Sequence, residues 1–533
     1  MNIYFIICIY YSKSSYYIIL IFLEWNMISK ISTVSNIWLE TFLITVEADS
    51  NKALPTIEIV WLADTSIKEA KERIRASFRN LDIKLPNKKF IINLSPSNIK
   101  KSWNRYDVPV AIAILQLVLD NLDTKLTQES IFVWELGLDW EIKPIQWIIP
   151  VIVKWKKEWF KYFFVPEDNA NEASFIEWIK VISVKNLQEL ISYLTWEKEL
   201  EFVKANKIEY KNEYDVDFAD IKWNLLQKRA LMVAASWMHN LLMVGPPWSW
   251  KTMLAKAIKW VLPPLSEEEI LETSMIYSIK WLLTKENPIV SYRPYRSVHH
   301  TASSISIIWW WSQLAPWEIS LANNWILFFD ELPEFPRQVL EVLRQPLEDK
   351  KIVISRASGS TSYPAKFMFV SAMNPCKCGY FQDKEKQCTC SLNEVKKYQW
   401  KISWPLLDRF DIILEVPRQK IDKILSKTKE ETSEEIRKKV INAWKVQIDR
   451  FKNEKINFNS QMDSKLIQKY CPLSNNIQTL LKQASENLSL SARAIHRTIK
   501  LARTLADLDN SENIEQNHIL EALQYRSKSM FVE

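Results

Sequence analysis

Asn240-Leu241-Leu242-Met243-Val244-Gly245-Pro246-Pro247-Trp248-Ser249-Trp250-Lys251-Thr252 is the stretch whose reading decides the fold. Its apolar half reads as a buried strand and its second half as the loop that follows. With position 250 taken as glycine, the loop fits G-x-x-x-x-G-K-[ST]. In such a loop the backbone of residues 245–252 (Gly245, Pro246, Pro247, Trp248, Ser249, Trp250, Lys251 and Thr252) cradles phosphates. Lys251 then reaches the β/γ oxygens and Thr252 holds Mg²⁺. A helix expected over 253–258 aims its positive N-terminus at the same anion. As written, an indole at 250 fills the space where backbone must approach phosphate, and Trp248 crowds the turn beside it.

Composition accounts for the conflict. Glycine at its usual share of about 7% would number roughly 37 here. The chain has 4 Gly and 25 Trp. The tryptophans also stand where glycine makes physical sense: Trp309-Trp310-Trp311-Ser312 reads as a flexible turn if it is Gly-Gly-Gly-Ser, and Asp139-Trp140 as the hairpin turn Asp-Gly. Pro316-Trp317, Asn324-Trp325 and Ser403-Trp404-Pro405 become turn signals in the same way. The expectation is a gene that decodes UGA as glycine, translated with a table that decodes it as tryptophan. The alternative is a chain that is truly rich in tryptophan, a scaffold whose nucleotide site is dead.

With 533 residues the chain has room for two to four domains and a large core. Lys+Arg 70 against Asp+Glu 63 gives +7, a mild basic excess that permits nucleic acid without demanding it. Six cysteines in so long a chain exclude a disulfide scaffold, and a cytoplasmic location is the default. Residues 1–26 carry two apolar runs, 3–11 and 16–23, each too short to span a bilayer and followed by no small-residue cleavage site. A misplaced start, with Met27 beginning the protein and no membrane partner, is the preferred reading over a signal or anchor.

From 27 to about 194 strands and helices alternate. Residues 42–48, 56–60, 90–94, 131–138, 163–165 and 181–184 read as strands; 66–81, 107–119, 171–176 and 187–194 read as helices, the first with Ile67, Ala70, Ile74 and Phe78 on one face. This predicts one α/β domain with a mixed sheet. Here Ala63-Asp64-Thr65, Lys68-Glu69, Arg73-Ile74-Arg75 and Asn93-Leu94-Ser95-Pro96 resemble the N-terminal domain of the Mg-chelatase-like AAA+ ATPases of the ComM type. That resemblance implies a Lon-protease-like (ribosomal S5 domain 2-like) fold. Peptidase chemistry is not carried over, because the positions aligned with Lon's serine and lysine are Arg105 and Val151.

Residues 195–217 read as a linker. Beyond it, Ile326-Leu327-Phe328-Phe329-Asp330-Glu331 is an apolar strand ending in two carboxylates, and 77 residues (253 to 329) separate Asp330 from the loop. Asp330 would bind Mg²⁺ through water and Glu331 would deprotonate the attacking water. Arg293 to Thr301 and Pro316 to Ala322 also resemble the family. His299 and His300 are metal candidates by type and packed or hydrogen-bonding residues by their surroundings. A hairpin of 350–356 and 363–369, tipped by Ser358-Gly359-Ser360, makes Lys350, Lys351 and Arg356 the nucleic-acid candidates, with a solvated basic edge as the alternative. Cys376-Lys377-Cys378 and Cys388-Thr389-Cys390, nine residues apart (379 to 387), suit a structural Zn²⁺. By resemblance, Asn374 matches the sensor of the γ-phosphate, Arg409 in Trp404-Pro405-Leu406-Leu407-Asp408-Arg409 the finger delivered to a neighbouring subunit, and Arg493 a second sensor in a helical lid.

The resulting expectation is an α/β protein with segments 1–26 (spurious), 27–194 (Lon-like, non-proteolytic), 195–217 (linker), 218–418 (P-loop AAA+ three-layer core) and 419–533 (helical lid). It would hydrolyse ATP with Mg²⁺ as a homo-oligomer, by resemblance a hexameric ring acting on DNA; a chelatase-type ATPase that remodels a protein partner is the alternative. Peptide mass spectrometry of the protein from its native source should find glycine at 248 and 250. Tryptophan at those positions would contradict the decoding.

Overall fold

Alternation builds the first sheet: Ile44, Val46 and Ala48 are buried while Thr45 and Glu47 between them stay half-exposed. The computed structural model describes residues 5–12, 15–22, 28–37, 40–60, 65–96, 106–145, 148–155, 160–175, 180–204, 216–221, 225–280, 282–284, 286–298, 318–356, 359–383, 385–418, 430–454, 456–488, 490–526 and 531. Its backbone forms two units, Met1–Ile208 with Leu283–Pro288, and Glu209–Leu282 with Ile289–Glu533. Among the described residues no helix is long and apolar enough to cross a membrane.

In the first unit β1 (Phe5–Ser12) and β2 (Ser15–Phe22) pair antiparallel with each other. A seven-stranded sheet follows, made of β3 (Ser29–Ile37), β4 (Glu40–Lys52), β5 (Thr56–Val60), β6 (Lys88–Ser95) and β7 (Ser130–Ile131), with β8 (Glu135–Leu136) and β9 (Ile142–Lys143) forming a separate ribbon before β10 (Tyr162–Pro166) and β11 (Lys180–Val184). The sheet order is β11-β10-β7-β3-β4-β6-β5. The β3/β4 and β4/β6 pairs are antiparallel and the others parallel, so the sheet is mixed. Helix Thr65–Asn80 buries Ala70, Ile74 and Phe78, and helix Asp107–Val118 is buried from Asp107 through Leu115. Buried Asp107 is tied to Arg73, Nε to Oδ2 at 2.7 Å, and also accepts the Leu136 N–H at 3.1 Å.

Several elements differ from the sequence reading. β3 has no counterpart in it. The run 131–138 is broken, with Phe132, Val133 and Trp134 buried between β7 and β8 and the Trp134 carbonyl accepting the Val108 N–H. Ile148–Trp155 is a helix. Residues read as the start of a linker belong to the sheet edge: Val203 donates to the Val181 carbonyl at 2.9 Å, and Phe202 stacks on Tyr162.

The second unit holds a five-stranded sheet whose pairings are all parallel, in the order β13-β14-β17-β12-β18. Its strands are β12 (Leu241–Val244), β13 (Tyr295–Val298), β14 (Ile326–Phe329), β17 (Met368–Met373) and β18 (Ile412–Glu415), while β15 (Lys351–Arg356) and β16 (Gly359–Pro364) pair as a hairpin. The hairpin's second strand therefore lies earlier in the chain than the 363–369 expected. Every residue of β12, β14 and β17 is buried, as suits parallel strands covered on both faces. Helices Leu225–Trp237 and Lys251–Val261 share one continuous apolar core with the C-terminal helices Ser433–Arg450, Ala492–Leu508 and Gln516–Gln524.

Asn240 locks the sheet just before β12. Its side chain donates to the Arg409 carbonyl at 2.9 Å and accepts the Phe369 N–H at 3.0 Å, while its own N–H donates to Asp411 at 3.1 Å. Burial alone would raise the Asp411 carboxyl; Arg497, 2.8 Å away, and His239, at 3.2 Å, hold it well below the usual carboxylate range instead. Replacing Asp411 by Ala strands these partners, and denaturant unfolding should report a loss of about 3–5 kcal/mol. A loss within the range of an ordinary surface substitution would contradict this role.

Candidate active site

The chain reverses its direction of growth about β12, whose neighbours β17 and β18 lie on either side, and ligands of open parallel sheets sit at such a point beyond the strands' C-terminal ends. Three strand ends converge there: β12 runs into the phosphate loop, β14 into Asp330-Glu331, and β17 into Asn374. Gly245 opens the loop because a Cβ there would lie 2.1 Å from the Val416 carbonyl oxygen.

Lys251 begins helix Lys251–Val261 and folds back under the loop. Its Nζ donates to the carbonyls of Gly245 at 2.7 Å and Pro246 at 2.8 Å, to Ser249 Oγ at 3.2 Å, and to Asn374 Oδ1 at 3.2 Å. Burial lowers its pKa to about 8, against the opposing pull of Asp330 and Glu331. Thr252 Oγ1 donates to Asp330 Oδ2 at 2.9 Å, which places the hydroxyl and carboxylate side by side. Glu331 has φ 51 and donates its N–H to Asp330 Oδ1 at 3.0 Å.

Sequence reasoning missed the supports of this site. Tyr295 of β13 stacks on Phe328 with ring centroids 5.6 Å apart, and burial together with nearby Asp330 pushes its phenol far up. Burial pushes the Tyr398 phenol far up as well, with the Asn374 backbone N–H near enough to oppose the shift. Neither residue carries a motif; only the fold brings them to the strand ends.

The backbone at the loop is left-handed at both unusual residues: Trp248 has φ 68 and Trp250 has φ 64. The Trp248 side chain is 88% exposed. Trp140 (φ 58) closes the β8/β9 turn, and Trp196 (φ 62) follows the C-cap of helix Leu187–Leu194, the place where glycine commonly ends a helix. Bulky L-residues pay for this conformation and glycine does not. Trp134 and Trp237 are fully buried with indole N–H groups that find no acceptor.

The arginines gather elsewhere in the same unit, in a hollow of about 490 Å³ lined by Glu348, Arg409, Arg493, His496, Arg497 and Lys500 among others. Arg409 is nearly buried; it donates to the Arg344 carbonyl at 3.2 Å, to the Pro405 carbonyl at 2.6 Å, and to Glu348. Arg493 pairs with the same Glu348 at 2.9 Å, with its side chain 68% exposed. The structure thus brings Arg409 and Arg493 together and joins neither by a hydrogen bond to Lys251 or Asp330 among the described residues. Arg497, unmarked by any motif, braces Arg409 by donating to its carbonyl at 2.7 Å.

Lys350 adopts φ 55, and burial lowers its ammonium to about 8, with Asp411 opposing and Arg497 and Lys500 reinforcing the shift. Lys351 is exposed at the start of β15, and Arg356 ends that strand opposite Gly359. Val151 is a buried aliphatic residue of helix Ile148–Trp155. Arg105, His299, His300 and Trp309 to Trp311 lie outside the described residues. Cys376, Cys378, Cys388 and Cys390 come together, with their sulfur atoms all within 4.8 Å of one another.

Three family models match: "Magnesium chelatase, subunit ChlI" over residues 217–424, "Magnesium chelatase, subunit ChlI C-terminal" over 430–526, and "Subunit ChlI of Mg-chelatase" over 46–169. The chain is 35% identical over 492 residues to the competence protein ComM of Haemophilus influenzae, an alignment covering 91% of this chain and 94% of that protein. It is 37% identical over 492 residues to the uncharacterized protein YifB of Escherichia coli, with the same coverage of each. With a phosphate loop, paired carboxylates and a polar strand-end residue meeting at one edge of a parallel sheet, the chain belongs to the Mg-chelatase-like AAA+ ATPases of the ComM type.

Proposed function

We propose that the chain is an ATP-driven motor acting on DNA, by branch migration or unwinding in recombination and natural transformation, and that positions 248 and 250 are glycine in the native protein. The observation that carries the ATP chemistry is the Lys251 ammonium, held among loop carbonyls and Asn374 while Thr252 and Asp330 pair beside it. Phosphate oxygens would take the places of the Gly245 and Pro246 carbonyls on Lys251. Thr252 and Asp330 would hold Mg²⁺, which neutralises charge on the β/γ oxygens when bound. Glu331 takes the proton of the attacking water, and Asn374 positions that water against the γ-phosphate.

Arg409 and Arg493 share Glu348 within one chain; in a homo-oligomeric ring, a hexamer by family resemblance, Arg409 would serve the neighbour's nucleotide. The left-handed backbone at 140, 196, 248 and 250 supports the glycine decoding. The DNA reading draws on the name of the competence relative and on the +7 charge. Lys350, Lys351 and Arg356 are the proposed DNA contacts, and the cytoplasm the proposed location. The chelatase-subunit descriptions of the matching family models favour the second reading, an ATPase that remodels a protein partner.

Glu331→Gln should leave ATP binding intact and cut turnover by about 10²–10⁴-fold, measured as phosphate release. Unimpaired turnover would remove Glu331 from the mechanism. Single-stranded or branched DNA should accelerate ATP hydrolysis by the wild-type chain; no acceleration favours the protein-remodelling reading. Lys251 is charged below a pH of about 8 and neutral above it, and phosphate binds the cation. Affinity for ATP is therefore full below that pH and falls as pH rises through it, by up to about tenfold per unit. Calorimetric titrations at about pH 7 and pH 9 should show that weakening, and pH-independent binding would contradict the assignment.

A further inference from the structure

We propose that Cys376, Cys378, Cys388 and Cys390 hold one Zn²⁺ as a tetrathiolate, and that this ion is a clip fixing both Asn374 and the phosphate loop in place. The first half rests on sulfur geometry. Cys376 and Cys378 Sγ are 3.3 Å apart, Cys376 and Cys388 3.7 Å, and Cys378 and Cys388 3.5 Å. Four sulfurs around Zn²⁺ at about 2.3 Å would be separated by about 3.8 Å along each edge of the tetrahedron. The observed spacings lie near that edge and far from a disulfide bond, and these cysteines are free thiols. Coordination balances as Zn²⁺ plus four thiols giving a dianionic tetrathiolate and four protons.

The second half rests on what the four cysteines join. Between Met373 and Leu392 the described residues form no helix or strand, a long segment to hold without regular structure of its own. Cys376 lies two residues beyond Asn374 at the end of β17. Cys390 directly precedes Ser391, the N-cap of helix Leu392–Gln399. The far end of that helix returns to the same strand end: Gln399 Nε2 donates to the Pro375 carbonyl at 2.9 Å. Sulfur ligation at the start of the helix and the Gln399 hydrogen bond at its end close one loop around the Asn374-Pro375 strand end.

The same loop touches the nucleotide site from its other side. Gly379, at φ +86, approaches so closely that a Cβ there would lie 2.5 Å from Pro247 Cδ. Farther along, Arg418 packs over the Tyr380 ring at 5.1 Å and pairs with Asp383 at 3.7 Å, seating the loop beside the strand end that follows β18. An ion that organises residues 376–390 thereby sets both Asn374 and Pro247. Loss of the ion would loosen the site without altering a nucleotide-contacting residue.

The role of the clip in turnover rests on the ATP reading above, whereas the metal assignment and the ordering of the loop do not. Elemental analysis of the full chain, purified without chelator, should give about one zinc per chain and no iron. The double variant Cys378→Ser/Cys388→Ser should carry none, and Cys471→Ser should keep it. Hydrogen exchange in peptides covering 240–252 and 370–383 should quicken in the double variant and in zinc-stripped wild-type chain, and slow again on adding zinc alone. Gly379→Ala should retain zinc yet raise the KM for ATP about tenfold or more. Absence of zinc with no uptake on titration, or iron with visible sulfide absorption, overturns the metal assignment. Unchanged exchange after zinc removal overturns the clip. A zinc-loaded, ordered chain that hydrolyses no ATP sinks the nucleotide reading and leaves the metal site standing.

Discussion

A single ammonium group lies where three strands end, and most of the second unit can be understood as the means of keeping it there. Lys251 Nζ lies among four oxygens, two of them carbonyls of its own loop, in surroundings dry enough to lower its pKa to about 8. A cation so poorly solvated has much to gain from an arriving polyphosphate. That gain depends on the loop backbone coming close, and the loop meets the requirement by placing residues 248 and 250 in the left-handed region. Side-chain bulk at those two positions works against the geometry their backbone adopts.

The strand ends are held from behind. Asn240 ties β12 to β17 and to the Arg409 backbone, and Asp411 ties the same point to His239 and to Arg497 of the C-terminal helices. Arg497 then reaches the Arg409 carbonyl, and Arg409 and Arg493 meet on Glu348. A chain of polar contacts thus runs from the phosphate-loop strand to both arginines, buried as far as Arg409 and open to solvent at Arg493. Because the C-terminal helices share one apolar core with the sheet, a movement of either is felt by the other.

In the second unit β12, β14 and β17 were legible because each is a short apolar run that ends in a chemically marked residue, Gly245, Asp330 and Asn374 in turn, whereas β13 (Tyr295–Val298) and β18 (Ile412–Glu415) had no counterpart in the sequence reading. Local pattern sufficed for the marked strands. It failed for β3, where Ser29, Ser32, Thr33, Ser35 and Asn36 dilute the apolar signal although Ile31 and Val34 are buried. Helix Ile148–Trp155 was hidden for the opposite reason, since Ile-Ile-Pro-Val-Ile-Val has strand composition; burial of Ile148, Ile149, Val151 and Ile152 decides the matter, and Pro150 falls in the first turn, where a missing N–H costs little. Glu348, Tyr398 and Arg497 could not be found from sequence, because their roles come from partners far along the chain. The cysteine pairs were visible as a ligand set, but their link to Asn374 and Pro247 exists only in three dimensions.

The central claim is that triphosphate binds here because the backbone at 248 and 250 is bare enough to lie against it. Calorimetric binding of ATP with Mg²⁺ to two full-length chains, one with glycine and one with tryptophan at both positions, tests it most directly. The account predicts saturable binding to the glycine chain and none to the tryptophan chain. Equal affinity in the two would contradict it.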